Sequence, residues 1–484
     1  MRARTLAGLL ACAGLGACTV GPDFQPPVVA SPSVWAPELG GVPSRTVATA
    51  VDPTWWRSFD DPVLTSLVTR LATQNLDLKS AAERIMQGRA QTRVAAAQGL
   101  PQISGRSSYK RERQSPTGFV SLVEPAPGAP IEYDLFQNGL DSSWELDLFG
   151  RVRRAVEAAD ARTLSSVESR HGIALAALAD LAQDYLQLRG VQAQLGIAER
   201  NLGLVEQNAK LVRNRVANGV ANALDMAQAQ AQLATVASTV PPLRTRQAAL
   251  INAIGFLLAE PPRALEAELR PRAALPGVPA IVPIGVPGAL VRRRPDVRQA
   301  EAELHAATAD TGVAVANFYP DITLVGSFNL EGLRLRDAFS LPSRAFTVGP
   351  SISLPIFQGG RLRGELQLRK SQQREAGIAF QRTVLQAWQE VDNALTAYAE
   401  AQRRQAQLAM AVKQNEIALR AARQQYTEGA ADFLNVNSAQ SQLLQTQNDL
   451  ATIATEITTD LVALYRALGG GWEIADAPPP PISR

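Results

Sequence analysis

The chain has 484 residues, enough for roughly two to four domains by length alone, and its 46% hydrophobic share can bury a sizeable core. Its 48 basic and 45 acidic residues leave a net charge of +3, and the basic ones are scattered, which argues against a nucleic-acid-binding surface. Two histidines, His171 and His305, and two cysteines, Cys12 and Cys18, exclude a histidine- or cysteine-built metal centre and a disulfide scaffold. There is no phosphate-binding glycine loop, nucleophile elbow or HExxH helix, so no enzyme activity, metal or cofactor is expected. Aromatic residues are only 5%, and the apolar share leans on Ala, Leu and Val, which suits closely packed helices.

Residues 1–17 read as a bacterial export signal: a basic start at Arg2 and Arg4, an apolar run from Leu6 to Leu15, then small residues. The run is too short to span a membrane. Its end, Leu15-Gly16-Ala17-Cys18, resembles a lipobox, which implies that Cys18 is lipidated and becomes the mature N-terminus. Thr19 in place of aspartate implies the outer membrane, and the rival Cys12 would leave too short a hydrophobic core for export. No later stretch reaches 18 consecutive apolar residues, so a chain of this kind crosses a membrane only as a β-barrel.

The remainder is one unit written twice. Val94-Ala95-Ala96-Ala97 leading to Pro101-Gln102-Ile103 matches Val313-Ala314-Val315-Ala316 leading to Pro320-Asp321-Ile322, a shift of 219 from 103 to 322. Phe149-Gly150-Arg151 matches Phe357 through Gly360-Arg361, and Asn218-Gly219-Val220 matches Glu428-Gly429-Ala430, each a shift of 210 (151 to 361, 219 to 429). The lost residues point to an insertion in the first copy, and the Pro/Gly-rich stretch from Ser115 to Pro130 supplies it.

Each copy reads as helix, strand, loop, strand, very long helix, glycine turn, returning helix. In the second, Ile322, Leu324, Phe328 and Leu330 alternate with Thr323, Ser327 and Asn329. Its partner strand sets Phe346, Val348, Ile352 and Leu354 against Thr347, Gly349, Ser351 and Ser353. In the first copy Leu140, Trp144, Leu146 and Leu148 alternate with Asp141, Ser143, Glu145 and Asp147, beside a more polar strand over Ile103–Tyr109. Strands of about ten residues with one oily and one wet face suit a membrane barrel, although alternation alone also fits a soluble antiparallel sheet.

A helix is expected from Gly150 to the Gly219 turn, roughly 100 Å at 1.5 Å per residue. Its seam runs His171, Ala174, Leu178, Leu181, Tyr185, Leu188, Leu195, Ala198, Leu202, Val205, Ala209, Val212 and Val216, with one skipped step at Gln192. This is heptad packing, and it makes His171 a packed helix residue. Four strands cannot close a barrel, and an open sheet in lipid leaves unpaired edges, so other copies of the chain must complete it. Two copies would give a filled interior and three a water-filled bore.

These residues resemble the TolC-like outer membrane factors, specifically the NodT-type lipoprotein channels of resistance-nodulation-division (RND) efflux systems. The resemblance rests on Cys18-Thr19-Val20-Gly21-Pro22-Asp23-Phe24, on Trp55-Trp56 before Phe59-Asp60-Asp61-Pro62, and on Glu145-Leu146-Asp147-Leu148-Phe149-Gly150. It rests most on Arg293-Arg294-Pro295-Asp296-Val297 leading through Glu301 to Asn317-Phe318-Tyr319-Pro320. It implies a mainly α chain with a membrane β part: a homotrimer whose 12-stranded outer-membrane β-barrel continues into a long periplasmic α-helical barrel. It also implies a division into signal peptide 1–17, lipid-anchored extended segment 18–60, first repeat 61–260, equatorial linker 261–286, second repeat 287–470 and tail 471–484. The implied function is passive export of drugs and other small amphipathic compounds, with a periplasmic adaptor (membrane fusion protein) and an inner-membrane RND pump as partners. The alternative within the family is the outer-membrane channel of a type I protein secretion system.

In the family the turns matching Gly219 and Gly429 form the periplasmic tip, where the adaptor docks and the bore is pinched shut. Relatives often carry carboxylates six and nine positions after the second glycine, whereas this chain has Asn435 and Ser438. Leu434 matches a position that narrows the closed tip, and Tyr426 and Asp225 match positions joined by a hydrogen bond in some relatives. A gate of Leu434 packing and a Tyr426–Asp225 hydrogen bond, without an acidic ring, is therefore expected.

Overall fold

A computed structural model describes residues 19–32, 35, 42–115 and 132–476. Cys18 and the export signal, most of the Ser115–Pro130 insertion and the tail beyond 476 lie outside the described residues. In chain order the elements are β1 (Arg45–Val47), α1 (Pro62–Gln74), α2 (Leu76–Ala97), β2 (Gln102–Arg113), β3 (Glu132–Glu145), α3 (Arg151–Ala217), α4 (Ala223–Leu257) and α5 (Glu266–Leu269). There follow β4 (Ile281–Pro283), α6 (Pro287–Arg293), α7 (Pro295–Ala316), β5 (Asp321–Gly332), β6 (Arg344–Ser353), α8 (Arg361–Thr427) and α9 (Phe433–Ala467). The duplication is visible in the lengths: α2 and α7 both have 22 residues, α3 and α8 both 67, α4 and α9 both 35.

The chain forms two compact units. The first holds the described residues among 1–27, with 85–165 and 301–379, and contains a four-stranded antiparallel sheet ordered β2-β3-β5-β6. The register sets Ile103 opposite Ser142, Leu140 opposite Phe328, Trp144 opposite Leu324, and Gly326 opposite Val348. Directly opposed residues share a face, so the four alternating patterns gather their apolar residues on one side, interrupted by Ser142 and by a row of Ser107, Asn138, Leu330 and Arg344. The expected first-copy alternation runs too far. β3 stops at Glu145, because Asp147 turns from the ladder to cap α3, accepting from the N–H of Val152 (3.1 Å) and of Arg153 (2.9 Å). Leu146 and Leu148 therefore lie beyond the strand, as does Leu354 after β6.

The segment following Cys18 is held in the same unit. Val20 donates its N–H to the Phe149 carbonyl (3.2 Å), Arg154 reaches Asp23 at 2.6 Å and Glu157 at 2.8 Å, and Phe24 stacks on His305 at 4.4 Å. Gly21, at φ +94, has its Cα so near Gly312 that an added Cβ would lie 2.6 Å from the Gly312 Cα. Burial pushes the Glu157 carboxyl up, but hydrogen bonds from Arg154 and His305 outweigh that and hold it below the usual carboxylate range.

The second unit holds residues 28–84, 166–300 and 380–484 as far as they are described. The residues 18–60 and 261–286, expected as extended segment and linker, contribute here a parallel pair, β1 with β4, so neither is merely a connection. The main core gathers Leu178, Leu181, Tyr185, Leu188, Phe380, Val384, Leu461 and Tyr465 around Trp55, which stacks on Tyr465 at 5.0 Å. Asp61 caps α1 and accepts the Tyr185 hydroxyl at 2.6 Å. Gln192, the skipped heptad step, is buried and donates to the Leu269 carbonyl at 2.8 Å, so a polar residue is retained there for α5. His171 is buried on the seam as expected, with Glu168 and Asp476 at 3.1 and 3.3 Å from its ring nitrogens. Arg294 is buried: it pairs with Asp296 and Glu390, each at 2.7 Å, and donates to the last-turn carbonyl of Ala467 at 2.9 Å.

Two carboxyls in this unit have no ion pair among the described residues. Burial pushes Asp184 up to about 6, with Asp180 adding repulsion, and burial pushes Asp460 up to about 6, with Glu456 adding repulsion. Both then bind protons more tightly folded than unfolded, so stability rises as pH falls through about 6 and the gain is complete below about 4. Asp184→Asn combined with Asp460→Asn should raise the melting temperature near neutral pH and flatten its pH dependence. An unchanged slope of melting temperature against pH would contradict these assignments.

Candidate functional site

The sheet presents Ile103, Leu140, Phe328, Phe346, Val348 and Ile352 to one side, largely uncovered among the described residues: Ile103 is 71% exposed, Phe346 72% and Val348 71%. The opposite side carries Ser104, Ser108, Gln137, Asp141, Ser143, Thr323, Ser327, Asn329, Thr347 and Ser351. Aromatic residues border the apolar face, with Trp144 near one end and Tyr109 packed on Phe136 (4.9 Å) near the other. Beyond Tyr109 the same face turns ionic, where Arg111 and Arg113 pair with Glu132 at 3.5 and 3.1 Å. An apolar band with aromatic borders and a charged margin is the pattern of a lipid-facing barrel wall. Among the described residues, the edge strands β2 and β6 each pair on one side only.

At the other candidate site, in the second unit, two helix pairs turn back on themselves. After α3 the chain takes Gly219 at φ +70, and the Val220 N–H returns to the Arg215 carbonyl at 2.8 Å. After α8 it takes Gly429 at φ +76, and the Ala430 N–H returns to the Gln425 carbonyl at 2.8 Å. Both are left-handed glycine caps with a bond back across the last turn. Space beside each glycine is open, so backbone geometry alone requires it. The caps of the returning helices differ. Asn222 and Asp225 form a reciprocal capping box at the start of α4, with the Asn222 N–H to the Asp225 carboxylate at 3.2 Å, whereas Asp432 makes no side-chain cap to α9.

A small core of Ala209, Val212, Ala229, Leu419, Tyr426, Phe433, Val436 and Leu443 holds the tip together. Leu434, Asn435 and Ser438 lie outside it on the exposed face of α9, Leu434 being 57% exposed. Tyr426 meets Phe433 edge-on at 5.5 Å, and the Arg215 guanidinium lies over its ring at 4.6 Å. The expected Tyr426–Asp225 hydrogen bond does not form within the chain. Asp225 is engaged by the Asn222 cap, and the Tyr426 hydroxyl, though buried, has no partner among the described residues. Burial, together with the Asp225 charge and against the opposing Arg215, holds the Tyr426 hydroxyl above the ordinary tyrosine value. Sequence reasoning missed Arg215, because a cation lying over an aromatic ring on another helix has no periodic signature.

The family of outer membrane efflux proteins matches residues 67–259 and 286–470, one stretch per repeat. Nodulation protein T of Rhizobium leguminosarum bv. viciae is 32% identical over 95% of this chain and 92% of its own length. The toluene efflux pump outer membrane protein TtgI of Pseudomonas putida is 31% identical over 95% of this chain and 97% of its own. The solved outer-membrane channel OprN superposes with a TM-score of 0.86 at 33% identity, covering 94% of this chain and all 100% of that one. With both repeats matched, the chain belongs to the outer membrane efflux proteins, TolC-like channels of the Gram-negative outer membrane.

Proposed function

We propose that three copies of this chain close a twelve-stranded barrel and form the outer-membrane conduit of a tripartite efflux pump. The supporting observation is the four-stranded sheet with two unpaired edges and one uncovered apolar face. Lipid offers no partner for edge N–H and C=O groups, so each β6 edge pairs with the β2 edge of a neighbouring copy. The polar faces then line a bore, and the outward faces meet outer-membrane lipid, with acylated Cys18 as a second anchor. The conduit is passive; a periplasmic adaptor and an inner-membrane RND pump deliver drugs and other small amphipathic compounds to it. That a relative is the outer membrane protein of a toluene efflux pump supports this class of cargo.

The turns at Gly219 and Gly429 are the docking tips, and Leu434, Asn435, Ser438, Tyr426 and Asp225 form the gate. Three Leu434 side chains, exposed in the single chain, meet at the axis in the closed state. The Tyr426 hydroxyl takes its partner there, by contact with a neighbouring copy or by release of Asp225 from the Asn222 cap. Asn435 and Ser438 leave the ring uncharged.

The test is complementation in a host with a matching adaptor and pump but no outer-membrane channel. The wild-type chain should restore antibiotic resistance. Gly219→Val, which forces a β-branched residue into the left-handed region at a cost of about 1–2 kcal/mol, should lower resistance while assembly persists. Full resistance with Gly219→Val would remove the tips from docking, and no resistance from the wild type would contradict efflux.

A further inference from the structure

A cavity of about 490 Å³ lies in the second unit beside α4, lined by Leu195, Ala248 and Ile251 together with Arg244, Arg263, Arg270 and Arg272. The two carboxylates that line it are already committed. Glu199 accepts from Arg272 and, at 3.3 Å, from Arg244, and Glu266 accepts from Arg270 at 3.2 Å. The hydrogen bonds from Arg272 and Arg244 hold Glu199 below the usual carboxylate range, so it stays ionised and engaged. Just outside, Glu260 and Glu268 are turned to Arg70 at 3.6 and 3.0 Å. The guanidinium of Arg263 has neither an ion pair nor a hydrogen bond among the described residues, and neither does that of Arg200. Arg200 belongs to the same cluster: a Cβ on Gly196 would lie 3.4 Å from its Nη1 and 4.0 Å from the Arg272 Nη1. Cations outnumber anions in this groove, and like charges face one gap.

The backbone is also unusual here. Arg263 sits at φ 68, in the left-handed region that a long side chain rarely adopts, with its N–H held by the Asn252 side-chain oxygen at 3.0 Å. A second cavity of about 580 Å³ shares Arg263, Glu266 and Arg270, which extends the groove along the turn into α5. Strain is thus retained where it presents an unpartnered cation. Mutual repulsion among the arginines disfavours the empty groove, and a bound anion relieves it.

The geometry points to a binding groove for the carboxylate-bearing peptide stems of the cell-wall polymer. This unit contains none of the sheet strands β2, β3, β5 and β6, and the inference rests on the proposed conduit reading, in which this unit is periplasmic and meets that polymer, the fixed polyanion of the periplasm. Stem peptides alternate carboxylates with small methyl groups, which match a lining of arginines together with Leu195, Ala248 and Ile251. A concave groove of this size receives a short chain and excludes a folded domain.

Calorimetry on the full detergent-solubilised protein tests this, with purified disaccharide tetrapeptide as the probe. Saturable binding is expected, weakened about tenfold or more in the Arg200→Gln/Arg263→Gln double variant, and lost when the tetrapeptide carboxyls are amidated. Neither guanidinium has an ion pair or hydrogen bond among the described residues, so neither substitution removes one. Equal binding by the double variant, or by the amidated probe, would overturn the assignment, as would no binding at millimolar probe. Inorganic phosphate competing as strongly as the tetrapeptide would also overturn it, by reducing the groove to a site for any small anion. Channel conductance is measured separately, so failure here leaves the conduit reading standing.

Discussion

A lysine at Val348 is expected to cost about 2–4 kcal/mol of stability, whereas one at the adjacent Thr347 is expected to be tolerated. The strand register gives the reason. Val348 lies level with Gly326, Ser142 and Ile103 and is 71% exposed, and on the proposed conduit reading it meets lipid. Thr347 points to the other side, among Ser327, Asp141 and Ser104, where a water-filled bore would solvate an ammonium group. Ile352 lies two rows from Val348 toward the helix end of the sheet, so Ile352→Lys should cost less, near 0–1 kcal/mol if it reaches the interface. The measurement is unfolding from lipid vesicles by denaturant, variant against wild type. Equal costs at Val348 and Thr347 would mean that the apolar face is not in lipid.

Leu434→Ala combined with Tyr426→Phe is expected to open the periplasmic tip. Planar bilayers should show a raised mean conductance, and cells should admit antibiotics inward. Leu434 lies outside the tip core and is 57% exposed in the single chain, so further burial where copies meet would supply the closing energy, about 2 kcal/mol per fully buried leucine. Removing the Tyr426 hydroxyl keeps its packing on Phe433 and beneath Arg215, and takes away only the group without a partner. With Asn435 and Ser438 in the ring, divalent cations should block this channel less than a relative carrying aspartates there. Strong block that disappears in Asp225→Asn would place the charge in the first repeat and contradict this gate.

The features legible in the sequence were those written locally or written twice. Alternation within ten residues marked β2, β3, β5 and β6, and seam spacings of three and four marked α3. The constant shift of 210 tied the two glycine turns together before their shared backbone geometry was known. Errors arose where a polar residue had two possible employers. Asp147 looked like the wet side of a strand but caps a helix, and Asp225, expected as the Tyr426 partner, is engaged within the single chain by Asn222 three positions away. Arg294 sat in a run that, apart from its family block, reads as a solvated surface. Its burial is set by Glu390 and the Ala467 carbonyl, far along the chain, and no window around position 294 contains them. The docking of Asp23 and Phe24 on Arg154 and His305 was equally invisible, although the segment itself stood out as a motif. The groove around Arg263 gave no sequence signal, since its lining comes from three separate stretches, 195–199, 244–252 and 263–272.

Native mass spectrometry of the detergent-solubilised protein tests the central claim most directly. On the proposed reading, the β2 and β6 edges, each paired on one side only among the described residues, close against further copies, and a bore wide enough for solutes requires three. The expected result is a single species at three times the protomer mass, still trimeric after exchange into lipid nanodiscs. A monomer, or a dimer whose eight strands would close on a filled interior, would contradict the conduit.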